Sequence, residues 1–219
     1  MFLTGVSFII IARNAAHCLG DLLGDLTAQD YPHDLIQVVL ADSMSEDGTY
    51  DIMNNFDGDF SEILSLKNKG VTLPCGWNVA IPQCTGDILV RHDAHSRIDS
   101  DFISNVVHCM DSGENIVGGQ RVSIFECGSV WRAVLSHAEC SPFGSGIAAY
   151  RREHRREYVK TLAHAAYRRE VFEQVGPYDE RLSRTEDNEM HYRMRQAGYK
   201  FCLCPEIVSY HHEIGRAHV

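Results

Sequence analysis

This sequence predicts an α/β chain built on an open, mostly parallel, doubly wound sheet with helices on both faces. Three observations predict it. Short apolar runs rich in β-branched residues recur at Val6–Ile11, Val38–Ala41 and Ile88–Val90, as expected of strands buried on both faces. Helical spacing separates them, which is the signature of βαβ units. No repeat, linker or low-complexity stretch interrupts the first 110 residues.

The elements follow in order. Val6-Ser7-Phe8-Ile9-Ile10-Ile11 is the first strand. Leu19, Leu22, Leu23 and Leu26 then stand at i, i+3, i+4 and i+7, one face of a helix. Val38–Ala41 is the second strand, and Asp42 to Gly48 is a polar turn. A short helix from about Thr49, a strand at Ile63–Leu66 and a helix near Trp77 to Ile81 come next. Ile88-Leu89-Val90 runs into Arg91-His92-Asp93. After Gly118-Gly119 the pattern loses regularity, with a loop-like stretch from Ser141 to Gly146. A helix around Arg168 to Gln174 stops before Gly176-Pro177. The last helix spans about Glu186 to Ala197, with Met190, Met194 and Ala197 on one stripe and Gly198 as its stop.

A chain of 219 residues is long enough for one domain with a sizeable core. Its formal net charge of −10 excludes non-specific nucleic-acid binding, which needs basic patches. An acidic chain that handles a diphosphate needs a local cation, so a metal site is expected. The eight cysteines contain no CxxC pair. Cys202 and Cys204 would share one face of a strand, and all read as reduced, small apolar residues. Met1 to Gly5 has no basic leader and Val6–Ala12 is too short to span a bilayer, which points to the cytosol. Residues 214–219 (IGRAHV) are encodable as ATC-GGA-AGA-GCA-CAC-GTC, like a common short-read sequencing adapter. They are expected to be an artefactual tail on a truncated reading frame.

In doubly wound sheets, ligands sit at the carboxyl ends of the strands. Asn14, Asp42 and Asp93 each follow a buried run. One of them alone reads as a turn or capping residue; three on one rim point to a ligand site. Asp93-Ala94-His95, read on extended backbone, places a carboxylate and an imidazole on one side, suited to Mn²⁺ or a similar ion. A solvated turn with a surface histidine is the other reading. Thr185-Glu186-Asp187 opens the last helix, either as simple capping or with Asp187 as an ionised general base.

Four stretches carry a resemblance: Val6 to Asn14 (VSFIIIARN), Ala41 to Thr49 (ADSMSEDGT), Asp87 to His95 (DILVRHDAH) and Val175 to Gly198 (VGPYDERLSRTEDNEMHYRMRQAG). In this order and spacing the sequence is similar to glycosyltransferase family 2, with the GT-A fold, over nearly all of residues 5 to 212. It looks most like the branch containing the succinoglycan glucosyltransferase, which has DAH in place of DxD and SPFG before the AYRREVF segment.

The resemblance implies a single GT-A domain over residues 1–213, its donor half about 1–120 and its acceptor half about 121–213. Asp42 matches the acid at the nucleotide base, and Asp93 the first acid of DxD, near ribose and metal. Asn14 and Asn78 are expected at the nucleotide. His95 stands for the second acid as metal ligand, with His211 or His212 completing the site for Mn²⁺ or Mg²⁺. Asp187 matches the catalytic base, and Glu186 and Phe143 fall on the acceptor side. The implied reaction is inverting transfer from a nucleotide-diphosphate sugar, by expectation a UDP-sugar, to a saccharide or lipid-linked acceptor in exopolysaccharide or cell-surface glycan synthesis. The place is the cytoplasmic membrane face, reached through membrane helices that members of this branch carry and that this chain lacks.

Other features have two readings. The basic island Arg151-Arg152-Glu153-His154-Arg155-Arg156 suits a lipid-linked diphosphate or anionic membrane, or is a solvated face. Trp77 and Trp131 suit sugar stacking or the core. A Rossmann oxidoreductase would need GxGxxG after the first strand, and Ala12 to His17 has no glycine. The rival of another class is a nucleotide-sugar-binding fragment without turnover.

Overall fold

A computed structural model describes residues 4–124, 155–182 and 184–212 of the chain. Trp131, Phe143, the Ser141–Gly146 stretch, Arg151 to His154, the side chain of His212 and the 214–219 tail lie outside the described residues. The first strands are β1 (Val6–Ala12), β2 (Ile36–Asp42), β3 (Glu62–Lys67) and β4 (Ile88–Asp93), connected through α1 (Leu19–Thr27), α2 (Thr49–Asn55) and α3 (Leu73–Ala80). They lie parallel in the order β3-β2-β1-β4. All seven residues of β1 and of β2 are buried, the outcome their continuous apolar runs require.

Beyond β4 come β5 (Ser96–Ile98), α4 (Phe102–Asp111), β6 (Ile116–Ile124), β7 (Glu157–Val159) and β8 (Ala165–Arg168). Then follow α5 (Arg169–Val175), α6 (Glu186–Gln196) and β9 (Phe201–His212). They extend the sheet as β4-β8-β6-β9-β5, with β7 also on β9. Here the pairing is mixed: β4·β8, β6·β8, β5·β9 and β7·β9 are antiparallel and β6·β9 is parallel. The fold is α/β with a parallel first half and a mixed second half.

Alternation along β1 splits the core into two layers. Val6, Phe8 and Ile10 pack with Leu19, Leu22 and Leu26 of α1, Met53 of α2 and Val106 and Met110 of α4. Ile9 and Ile11 pack with Trp77 of α3, Phe172 of α5 and Met190 and Met194 of α6. Each fully buried leucine of α1 contributes about 1.5–3 kcal/mol. Trp77 is core, as its second reading had it.

Three expectations need correction. The last helix ends at Gln196, so Ala197 is an exposed cap and the buried stripe is Met190, His191 and Met194. Gly198 does stop it, at φ +93°. Ala94 and His95 do not continue extended backbone: β4 ends at Asp93 and these two residues turn into β5. The stretch after Gly118-Gly119 includes a long strand, β6, broken by a bulge against β9. Gly119 is obligatory in that bulge, because a Cβ would lie 1.6 Å from the Ile207 carbonyl oxygen.

Candidate active site

Strand register gathers the polar rim. Asp42 closes β2 opposite Ala12 of β1 and Lys67 of β3, and Asp93 closes β4 opposite Ile11. Buried Asp42 accepts the Ser45 N–H at 3.2 and 3.3 Å, which closes the following turn. With Ser45, Tyr50 and Lys67 it lines a cavity of about 290 Å³, where Lys67 Nζ lies 4.2 Å from the Tyr50 ring centre. A carboxylate, an aromatic face and a cation side by side can take a planar polar ring.

Asn14 sits at φ +51°, a conformation asparagine tolerates better than most residues. Its N–H donates to Ser45 Oγ (2.9 Å) and its Oδ1 accepts the Glu46 N–H (3.0 Å). The Ala16 N–H donates to Asp47 (3.0 Å) and the Ala15 N–H to Thr49 Oγ1 (2.8 Å). The loops after β1 and β2 are therefore one tied unit, and the amide of Asn14 serves to tie it.

Asp93 lines a second cavity, about 360 Å³, together with Arg91, Arg121, Glu186 and Asp187. Its Oδ2 is 3.1 Å from His164 Nε2, whose other nitrogen lies 2.7 Å from Ser209 Oγ. Burial pushes the Asp93 carboxyl up. The His164 hydrogen bond and charge, with Arg91 and His92 behind them, outweigh it and hold Asp93 well below the usual carboxylate range.

His211, on β9, has a buried Nδ1 with no hydrogen-bond partner among the described residues. Burial first, then Arg121, His164 and His95, bring it down to about 4 against the pull of Asp93. A neutral imidazole with an orphaned nitrogen beside a carboxylate is a fitting donor pair for a divalent cation. His95 meets the loop before α1: its Nδ1 is 3.1 Å from Cys18 Sγ, and its ring centre is 5.7 Å from that of His17.

The far wall is the start of α6. Thr185 holds left-handed backbone, φ +64° and ψ +13°, with no side-chain cap on the helix. For a β-branched residue this costs about 1–3 kcal/mol and marks a conformation imposed by its surroundings. It brings Glu186 and Asp187 into the cavity. Arg91 grips Asp187 with both ends of its guanidinium, Nη1–Oδ1 at 2.6 Å and Nη2–Oδ2 at 2.8 Å. Nη1 also donates to the Tyr178 hydroxyl (2.9 Å), and the guanidinium lies 4.7 Å from the Trp77 ring centre. Burial would lower Arg91, yet Asp187 holds it above its ordinary value. Glu186 is pushed up by burial, with Asp187 and Asp93 adding to it.

Asn78 is not part of this rim. Its Nδ2 donates to the Tyr178 carbonyl (3.0 Å) and Glu180 (2.9 Å), and its Oδ1 accepts the Tyr178 N–H (2.8 Å). It lines a separate, apolar cavity of about 360 Å³ with Ile81, Phe172 and Pro177. A side-chain amide so fully engaged ties α3 to the 176–180 loop, which corrects its expected place at the nucleotide. Sequence reasoning missed Arg91, Lys67 and His164. Arg91 left a signal, a cation inside an apolar strand run two residues before Asp93 and hence on the same face. His164 left none.

The sequence model of the family described as Glycosyl transferase family 2 matches residues 7–176. The chain is 30% identical over 172 residues to the succinoglycan biosynthesis protein ExoA of Rhizobium meliloti, covering 76% of this chain and 51% of that protein. It is 24% identical over 208 residues to glycosyltransferase AglE of Haloferax volcanii, covering 94% and 66%. The chain thus spans about half the length of the succinoglycan relative. Among solved structures, TarS 1-349 of S. aureus in complex with UDP-GlcNAc superposes with a TM-score of 0.73 at 15% identity, over 98% of this chain and 60% of that one. The mannosyltransferase PcManGT from Pyrobaculum calidifontis, in complex with GDP-Man and Mn²⁺, gives 0.69 at 20% identity, over 100% and 59%. At these identities the likeness shows the fold.

Proposed function

The chain belongs to glycosyl transferase family 2, and from that premise we propose that it transfers a sugar, with inversion, from a UDP-sugar to a saccharide or lipid-linked hydroxyl. One observation carries the reading. A single cavity is lined both by Asp93 of the strand rim and by Glu186 and Asp187 at the start of α6. The two kinds of group an inverting transfer needs therefore share one cavity of about 360 Å³.

Asp42, Tyr50 and Lys67 receive the nucleotide base. Asp93 and His211 would hold a divalent cation, Mn²⁺ or Mg²⁺, toward which His95 would turn from Cys18, and the cation when bound supplies Lewis-acid stabilisation to the departing diphosphate. Asp187 accepts the acceptor hydroxyl proton as that oxygen bonds to the anomeric carbon and the bond to the diphosphate breaks. Arg91 takes one lone pair of each Asp187 oxygen, and each oxygen retains another for that proton. Glu186 lies on the acceptor side. One displacement with one base inverts the centre; no nucleophilic carboxylate is required, as it would be for a retaining hydrolase.

The GDP-Man complex of one structural neighbour and the UDP-GlcNAc complex of another support a nucleotide-sugar donor. The succinoglycan relative supports an exopolysaccharide or cell-surface glycan product at the cytoplasmic membrane face. Among the described residues no helix is long and apolar enough to cross a membrane.

A second reading, nucleotide-sugar binding without turnover, is favoured by the chain's partial span of that relative. Acceptor-dependent release of UDP separates the two. The first test is thermal-shift binding of UDP with and without Mn²⁺, on this chain and on Asp93→Asn and His95→Ala. Near a hundred times Kd, binding adds about 2.7 kcal/mol. A Mn²⁺-dependent shift lost in both variants supports the donor site; no shift from the folded wild type overturns it.

A further inference from the structure

The loop before α1 and the turn after β4 converge on a cluster that the transfer reaction does not use as a set. Cys18 Sγ is 3.1 Å from His95 Nδ1, and His17 completes a trio whose ligand atoms all lie within 4.8 Å of one another. The trio is held in place by rigid neighbours. Cys18 directly precedes α1, and the loop carrying it is tied to Asp47 and Thr49 through the Ala16 and Ala15 N–H groups. His95 is fixed between β4 and β5. His17 is exposed and the other two are half-buried, so the cluster opens to solvent on one side.

We propose that His17, Cys18 and His95 form a second cation site, for zinc or a similarly soft divalent ion, that competes with the donor site for His95. Two imidazoles and a thiolate are the donor chemistry of zinc, whereas Mn²⁺ and Mg²⁺ prefer oxygen. At Zn–N of about 2.0–2.1 Å and Zn–S of about 2.3 Å, tetrahedral donors stand roughly 3.3–3.6 Å apart. Small side-chain rotations bring the trio to that spacing, and water takes the open fourth position. Cys18 binds as thiolate, its proton passing to solvent. Without a cation it remains a thiol, since burial and the nearby Asp21 and Asp47 push it up to about 11.

The competition follows from the imidazole itself. A neutral ring has one nitrogen lone pair to give, the other nitrogen carrying its proton. If His95 serves the soft ion it is withdrawn from the Asp93–His211 side. Zinc would then suppress Mn²⁺-dependent donor binding. This last step rests on the proposed function; the cation site itself does not.

Cobalt titration of the full chain under reducing conditions tests the site without reference to activity. One Co²⁺ per chain should give the near-ultraviolet thiolate-to-cobalt band, absent in Cys18→Ser. Zinc affinity, read by competition with a chromophoric chelator, should fall at least about 100-fold in Cys18→Ser and in His17→Ala, since even an outer-shell loss costs 10–100-fold. No band, or a band unchanged in Cys18→Ser and so arising elsewhere, as at Cys109 and Cys204, overturns the site. Cys18→Ser should keep the Mn²⁺-dependent UDP shift while losing its suppression by zinc. Suppression that persists in the variant overturns the shared histidine. Cobalt binding with no UDP shift at all leaves the site standing and sinks the donor assignment instead.

Discussion

The parallel strands β3-β2-β1-β4 and the mixed strands β8-β6-β9-β5 belong to one sheet, yet they are held by different physics. In the first set the interior of β1 and β2 is apolar apart from Ser7 and Gln37, which hydrogen-bond to each other at 2.6 Å. In and around the second set, buried polar groups form chains: Thr161 to His191 (2.9 Å), His191 to Tyr167 (3.0 Å), His164 to Ser209 (2.7 Å). The rim acids Asp42 and Asp93 are positioned by backbone register on the apolar half. Asp187 and His211 arrive from the other half: Asp187 is held by the bidentate grip of Arg91, which reaches it from β4, and His211 by the pairing of β9 with β5 and β6. Apolar burial is tolerant of detail and sets the platform, while satisfied polar networks are intolerant of loss and set the side chains that would move protons.

The largest test of that contrast is Asp187→Asn. As the proposed base, its loss should lower kcat by about 10²–10⁴-fold. It also leaves the Arg91 guanidinium, 5% exposed, without its partner. Breaking a buried pair costs about 3–5 kcal/mol, and the lower end applies because Asp187 is 34% exposed. Denaturant unfolding alongside turnover separates the effects: UDP binding should survive in the folded variant. Turnover within about threefold of wild type would move the base to another residue of this wall, with Glu186 the first candidate.

Legibility in the sequence follows the same division. Val6–Ile11 and Val38–Ala41 were readable because a strand buried on both faces needs no alternation. β9 was not, since Pro205 and Glu206 interrupt it and the shared face of Cys202 and Cys204 is too short a signal to mark twelve residues of strand. α4 was readable and passed over: Phe102, Ile103, Val106, Val107 and Met110 make one buried face. The acids at strand ends could be found by position alone. Their partners could not, because Arg91–Asp187 and Asp93–His164 join residues 96 and 71 positions apart. The turn at Ala94-His95 has neither glycine nor proline to announce it, so the DAH tripeptide reads as extended.

Gly119→Ala addresses the junction of β6 with β9. The added methyl would meet the Ile207 carbonyl oxygen, a backbone atom held by the strand pairing on either side of the bulge. A loss of about 3 kcal/mol or more is expected, the upper end of overpacking costs, because backbone cannot yield as a side chain does. Calorimetry should show a lower Tm. An unchanged Tm would mean the bulge relaxes freely and the mixed half is less constrained than argued.

His191 gives the polar half its own pH signature. Burial, reinforced by Arg91, brings it down to about 3, against an ordinary 6.5 that applies once the chain unfolds. As pH falls below 6.5 the unfolded chain takes up this proton and the folded chain does not. Its contribution to stability is thus constant above 6.5 and declines from there down to about 3, by roughly 1.4 kcal/mol per pH unit. Urea unfolding of wild type and His191→Gln between pH 7 and 5 should differ in slope by about that amount. Parallel slopes would place the acid sensitivity elsewhere.

Gly24→Ala is the smallest effect and the mirror of Gly119→Ala. Gly24 lies inside α1, exposed, with nothing within 4 Å of where a Cβ would stand. Its backbone is helical, a conformation alanine adopts without strain, and alanine restricts the unfolded chain. The substitution should raise stability by about 0.4–1 kcal/mol. The same chemical change is thus predicted to carry opposite signs in the two halves of one molecule. A destabilised Gly24→Ala would show that α1 packs against something beyond its buried leucine face, and the apolar half would then be no more tolerant than the polar one.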